Sequence, residues 1–201
     1  MNVKVISLFE KETDPNGIYI NTTSKTETDW QRDLSPFHLG PCPLYWNLTS
    51  VRMENGWQYA KVYPEYDNNG EPTEEYFDWA ITGWKNPWPV RYPMGKGKKP
   101  LYSWWGDKKY TYVEARKMIY VPLYSKAVIK TDGFYKLWSL YHSNDNKTIY
   151  LKDYDAYRHE DKNMTLTDVL NNENKKMGHA FVLMMLLVKD ASLKQCRNFI
   201  V

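Results

Sequence analysis

The stretch of chain best suited to chemistry is Met53-Glu54-Asn55-Gly56-Trp57-Gln58-Tyr59-Ala60-Lys61-Val62-Tyr63. Read as a helix at about 100° per residue, it puts Glu54, Gln58 and Lys61 on one narrow polar stripe, with Met53, Trp57 and Ala60 on the apolar stripe beside it. The acid then sits at the edge of the core, where desolvation raises a carboxyl pKa and a nearby lysine lowers it. A carboxylate so placed can activate water or stabilise a developing positive charge. The same spacing also describes a solvated Glu/Gln/Lys edge with Trp57 as ordinary core.

Two later acids, Asp153 and Asp155, follow the apolar run Ile149-Tyr150-Leu151 and are candidates for a second carboxylate. The run Arg91 to Pro100 gathers Lys96, Lys98 and Lys99 around two glycines, with Tyr102, Trp104 and Trp105 close behind. Lysines beside aromatics suit a phosphate next to a base; a solvated lysine loop anchored by buried tryptophans fits equally well. The G-x4-G-K-[ST] form of a Walker loop is absent. His179 opens an apolar helix, where a single histidine serves most simply as a hydrogen-bonded core residue. His38 and Cys42 fall short of a metal site, His142 and His159 read as solvated, and Arg158 to Lys162 reads as a solvated loop. No metal or cofactor is expected.

The elements that must position these residues follow from punctuation and periodicity. Val3–Phe9 and Ile18–Ile20 read as strands around the turn Asp14-Pro15-Asn16-Gly17, so residues 1–34 are expected to form a hairpin-like extension. Pro36, Gly40, Pro41 and Pro43 forbid regular helix before the Glu54 segment. Helices are expected over Arg52–Tyr63, Glu74–Ile81, Tyr110–Tyr120 (stopping before Pro122) and Phe134–Tyr141. Asn86 to Trp105 reads as a long loop, of the kind that is usually functional. Thr165-Leu166-Thr167-Asp168 has the form of a capping box, and Lys176 to Val188 is a helix apolar on nearly every face, hence the most buried one. The expected fold is α+β, a single compact and mainly helical domain with a small β-sheet.

Whole-chain numbers bound the function. The 201 residues carry 27 Lys plus Arg against 24 Asp plus Glu, a net charge of +3, far from a dedicated DNA-binding domain. Sixteen per cent of the residues are aromatic, including 9 Trp, which must fill a core or line a binding surface. Two cysteines make no disulfide scaffold, and the longest apolar run, Ala180 to Val188, is half of a membrane span. These features lead us to expect a cytoplasmic protein with no membrane partner. The Asn, Lys, Tyr and Ile enrichment would suit an AT-rich genome such as a phage's, which would place it in the host cytoplasm.

Glu-x3-Gln-x2-Lys with an aromatic before the Gln, preceded by Ser35-Pro36-Phe37 and Tyr45, resembles the first motif of the NADAR (YbiA-like) family of N-glycosidases. In that family a Ser-x-Phe-type loop leads to a helix bearing Glu, an aromatic, Gln and Lys, matched here by Glu54, Trp57, Gln58 and Lys61. Tyr112, Arg116 and Tyr120 fall where the family has an arginine-bearing helix, Asp153 or Asp155 where it has a late acid, and Gly178 with Leu183-Met184 where it has a C-terminal Gly and Leu-Met helix. The similarity runs over most of residues 35–188. After its late acid the family has Trp-Gly, whereas this chain reads Ala156-Tyr157.

The resemblance implies a YbiA/NADAR-like fold and metal-independent hydrolysis of the N-glycosidic bond of a nucleotide, an ADP-ribose conjugate or a modified nucleobase, with DNA as a further partner. Glu54 would be the catalytic carboxylate, assisted by Asp155 or Asp153, with Lys61 and Arg116 binding phosphate. Trp57, Gln58, Arg91, Lys96, Tyr102, Trp105 and His179 complete the expected substrate-binding set. The rival expectation is a non-catalytic nucleotide- or nucleic-acid-binding protein of the phage-inhibitor type.

Overall fold

The computed structural model describes residues 2–143 and 146–197. In chain order its strands and α-helices are β1 (Asn2–Ser7), β2 (Ile18–Asn21), α1 (Asp29–Arg32), β3 (Cys42–Pro43), β4 (Thr49–Ser50), α2 (Met53–Gln58), β5 (Lys61–Val62), β6 (Asp67–Asn68), β7 (Glu71–Pro72), α3 (Glu74–Lys85), β8 (Tyr102–Trp105), β9 (Lys108–Tyr110), α4 (Tyr112–Ala115), α5 (Val121–Val128), α6 (Asp132–His142), β10 (Thr148–Asp153), α7 (Leu166–Asn171) and α8 (His179–Leu187). The class is mixed α+β.

Ile149 and Leu151 of β10 are fully buried, and this apolar strand is the centre of a three-stranded sheet of order β1-β10-β2. Both neighbours run parallel to it, with Val3 opposite Ile149 and Ile149 opposite Ile18. The expected hairpin therefore does not form. The turn itself is present, Gly17 N donating to Asp14 O at 3.0 Å, but β1 and β2 each pair with β10 rather than with each other. A lone two-stranded ribbon would leave Val3, Val5 and Ile20 half exposed, whereas the central strand buries all three. Segment 8–17 consequently crosses the outer face of the sheet as a strap, and β1 and β2 belong to the central sheet rather than to an extension.

The inner face is covered by α8, in which every residue but Leu186 is buried, as its uniformly apolar sequence predicts. Lys176 and Met177 lie in the loop before it, so the helix is shorter than expected at its start. In a second three-stranded sheet β8 is the centre, antiparallel to β5 and β9. The helix expected over Arg52–Tyr63 ends at Gln58, because Lys61 and Val62 pair with Ser103 and Tyr102 instead. β-Branched Val62 is fully buried in that pairing, and Pro64 follows two residues on. The expected Glu74 helix extends to Lys85, anchored by buried Trp84.

Pro122 does not end the helical path. Thr111 and Glu114 form a capping box before α4, Arg116–Tyr120 widens into a π turn, and α5 follows directly. The wider turn leaves Pro122 in the first turn of α5, where a missing N–H costs little. The Thr165 capping box is formed as expected, its side chain accepting from Asp168 N at 3.1 Å.

Candidate functional site

A cavity of about 740 Å³ opens where the carboxyl ends of β2 and β10 meet α2 and the N-terminus of α8. Carboxyl ends of parallel strands are the ordinary place for a ligand crevice, and the volume suits a small organic ligand. The loop 86–101 and the segment before α8 close two further walls.

Glu54 stands in the first turn of α2, all six residues of which are buried. Its backbone N–H donates to Pro36 O at 3.0 Å, which docks the Ser35-Pro36-Phe37 loop against the helix. Gln58 Nε2 donates to Glu54 Oε1 at 2.8 Å, and Lys61 Nζ donates to Gln58 Oε1 at 2.6 Å. Glu54, Gln58 and Lys61 thus form one relay along the cavity wall, although Lys61 reaches it from β5 and not from the helix. Among the described residues Oε2 of Glu54 takes no hydrogen bond. Burial pushes the Glu54 carboxyl above the usual carboxylate range, opposed by the Gln58 hydrogen bond and the charges of Lys61, Arg91 and His179. Burial likewise lowers the Lys61 ammonium to about 8 against the pull of Glu54. Trp57 is tucked beside this relay, its ring 4.7 Å from Lys61 Nζ and 5.2 Å from the Tyr120 ring.

Two further carboxylates come from the end of β10 and the residues just after it. Asp153 is 4 % exposed and its Oδ2 meets His179 Nδ1 at 3.1 Å and the Ala180 N–H at 3.3 Å. His179 is held at its other side by Thr22 O, 2.7 Å from Nε2. Both nitrogens of this buried ring face oxygen atoms of the scaffold, so His179 ties β2, β10 and α8 together. Asp155 is more open and pairs with Arg91 Nη2 at 2.7 Å. Burial works against the Arg91 charge, yet Asp155, Tyr92, Glu54 and Asp153 together hold its pKa above the ordinary value. The arrangement can do acid–base chemistry: a desolvated carboxyl and two further carboxylates are gathered around one cavity with a lysine and an arginine between them.

The profile of DUF6939, described as a family of unknown function, matches residues 3–182. The chain belongs to that family. No curated protein and no solved structure matches it.

In this DUF6939 chain, nine of the twelve residues singled out from the sequence line the cavity: Glu54, Trp57, Gln58, Lys61, Arg91, Arg116, Asp153, Asp155 and His179. Lys96, Tyr102 and Trp105 lie outside it. Lys96 is exposed, Tyr102 is buried with its hydroxyl donating to Asp67 Oδ1 at 2.6 Å, and Trp105 packs 5.0 Å from the Tyr45 ring. The loop is thus anchored by buried aromatics, and the lysines that reach the cavity are Lys98 and Lys99.

Arg116 is 2 % exposed and spends its donors on the backbone carbonyls of Val169, Leu170, Asn172 and Lys175 at 2.8–3.0 Å. It clamps the segment that forms the cavity wall. His159, expected in solvent, is buried against Phe181 at 5.7 Å, and Arg158 pairs with Glu10, so residues 158–162 are not simply a solvated loop. Both cysteines are free and buried.

Tyr120, Tyr154, Lys175 and Lys176 were not singled out from the sequence as cavity residues, though the structure places them there. Tyr154 had a signal in its place between two candidate acids. The lysines had none, because they sit in an irregular segment whose position is set by Arg116. Among the described residues no group of three or more His, Cys, Asp or Glu is placed to hold a metal, and no helix is long and apolar enough to cross a membrane.

Proposed function

We propose that this cavity binds a nucleotide-type ligand and hydrolyses its N-glycosidic bond, in the manner of the NADAR enzymes that the Glu54 motif resembles. The observation that carries the reading is the buried Glu54 carboxyl, desolvated and hydrogen-bonded by Gln58 at one oxygen, in the wall of a cavity also lined by Asp153, Asp155 and aromatic rings. Cleaving an N-glycosidic bond develops positive charge at the anomeric carbon and needs a water on the face opposite the leaving base. A carboxylate whose proton affinity is raised by burial is a better base for that water, and its negative charge stabilises the cationic sugar. Asp155, held by Arg91, would orient a sugar hydroxyl, while Trp57 and Tyr120 supply apolar wall beside Glu54. Lys61, adjoining Glu54, would take a phosphate or assist the departing base.

The test compares wild type with Glu54→Gln on a pool of nucleotides and ADP-ribosylated DNA, following free base and free sugar by mass spectrometry. The variant keeps the acceptor for Gln58 and removes the base, so a loss of about 10²–10⁴ in rate is expected. Full activity in Glu54→Gln would exclude this role for the residue. Recovery of an intact ligand from both proteins would make the chain a binding protein.

A further inference from the structure

Segment 8–17, which crosses the outer face of the parallel sheet, is fastened at alternate residues. Glu10 accepts from Arg158 Nε at 2.6 Å, Glu12 pairs with Lys152 at 2.8 Å, and Asp14 accepts from Tyr150 Oη at 3.0 Å. Two of these acids are tied to alternate residues of β10 and the third to Arg158 beyond the strand, which fixes the strap in register, and with it the residue at its leading end, Phe9. The Phe9 side chain is 80 % exposed, and its ring meets Tyr154 at 5.8 Å with an interplanar angle of 62°. Tyr154, itself 38 % exposed, lines the cavity, and the Arg91 guanidinium lies 5.9 Å from its ring and 5.5 Å from that of Tyr92. A single exposed phenylalanine needs no explanation. Tyr154 is the link: it lines the cavity with Tyr92 beside the Arg91 guanidinium, and it carries the exposed Phe9 ring, edge-to-face, just beyond the lining. Exposed rings continued outward from a cavity wall in this way offer faces on which planar groups stack.

Charge says what would link such a group to the cavity. Eight Lys and Arg against four Asp and Glu line it, whereas the whole chain has 27 against 24. The remainder therefore holds 19 against 20, and the protein's positive excess is concentrated at this one place. We infer that Phe9 and Tyr154 form a stacking shelf for a second planar ring of the ligand, joined by phosphate to a first ring held within the cavity. The ligand class is a phosphate-linked pair of bases, supplied either by a free 5′–5′ dinucleotide or by a 3′–5′ single strand. The inference rests on the proposed nucleotide reading for the nature of the rings, but not on hydrolysis.

Binding is measured by calorimetry on the Glu54→Gln protein, so that nothing is consumed. The probes are the 5′-mononucleotides, the 5′-phosphorylated 3′–5′ dinucleotides and the 5′–5′ pyrophosphate-linked dinucleotides of all bases. One linkage type is expected to bind about 5- to 100-fold tighter than the mononucleotide, the range that a base–aromatic stack supplies, and that type identifies the source. Phe9→Ala and Phe9→Leu should return the affinity to the mononucleotide level, and Phe9→Trp should keep the preference. Phe9 is exposed, so these variants should fold. Equal binding of mononucleotides and dinucleotides, no binding by any probe, or a preference that survives Phe9→Ala would overturn the shelf. A preference with no base released by wild type keeps the shelf and removes hydrolysis, and release without a preference does the reverse.

Discussion

Lys61 is the residue whose charge should be easiest to see. Burial lowers its ammonium to about 8 from an ordinary 10.5, so between those values the unfolded chain binds a proton that the folded chain has released. Stability should therefore rise with pH from about 8 towards 10.5 and lose this contribution as pH falls through 8. Lys61→Met should flatten that rise, a difference on the order of 2 kcal/mol between the two proteins across the window. Urea denaturation at half-unit steps from pH 7 to about 9.5 checks it, the tyrosine contribution at the upper end being common to both proteins. Parallel curves for variant and wild type would show Lys61 to be fully charged throughout. At this scale the sequence was informative where spacing was local. Glu54, Gln58 and Lys61 fall within eight positions, and their polar stripe was readable even though the helix ends before Lys61. Asp153 and Asp155 were both visible as acids after a strand, but their division into a buried tether and an open ion pair depends on His179 and Arg91, which are distant in sequence. Arg116 looked like a free cation because nothing local shows that four carbonyls of residues 169–175 surround it.

Elements meet most tightly where α8 begins. Gly178 has ordinary extended angles, φ −75° and ψ 165°, so its requirement is not conformational. A Cβ there would stand 2.1 Å from Asp153 Oδ2 and 3.3 Å from the Asp155 backbone. Asp153 cannot simply turn away, since its carboxylate is held by His179 and by the N–H groups of Tyr154 and Ala180. Gly178→Ala should then cost about 1–3 kcal/mol, the usual size of an overpacking change, and should shift the β10 terminus that carries both acids. A drop in melting temperature with weakened ligand binding is the expected result. An unchanged melting temperature would mean that α8 slides to accommodate the methyl group. The same junction explains what pattern reading missed among the elements. Strand positions were legible from apolar runs, but their partners were not, because β10 lies more than a hundred residues from β1 and β2. Nor did the sequence show that a π turn would carry the helix past Pro122, a rule that local punctuation states the other way.

At the scale of the whole molecule, charge is the property that function would feel first. A net +3 is modest, and taken alone it argues against a nucleic-acid role. Its distribution argues differently, because eight basic and four acidic side chains surround the cavity while the rest of the chain is close to balanced. Two of those acids are committed to partners, Asp153 to His179 and Asp155 to Arg91. An anion approaching the mouth therefore meets a local field much stronger than the net charge suggests. Affinity for a phosphate-bearing ligand should fall several-fold as salt is raised from about 50 to 200 mM, since the Debye length shrinks about twofold across that range. Lys175→Glu with Lys176→Glu should weaken the same ligand and reduce the salt slope, while Lys4→Glu with Lys136→Glu, the same change of charge outside the cavity lining, should do neither. If both double variants weaken binding equally, the effect belongs to net charge and not to the cavity. If neither does, the ligand enters neutral and the lysines at the mouth only keep the surface soluble.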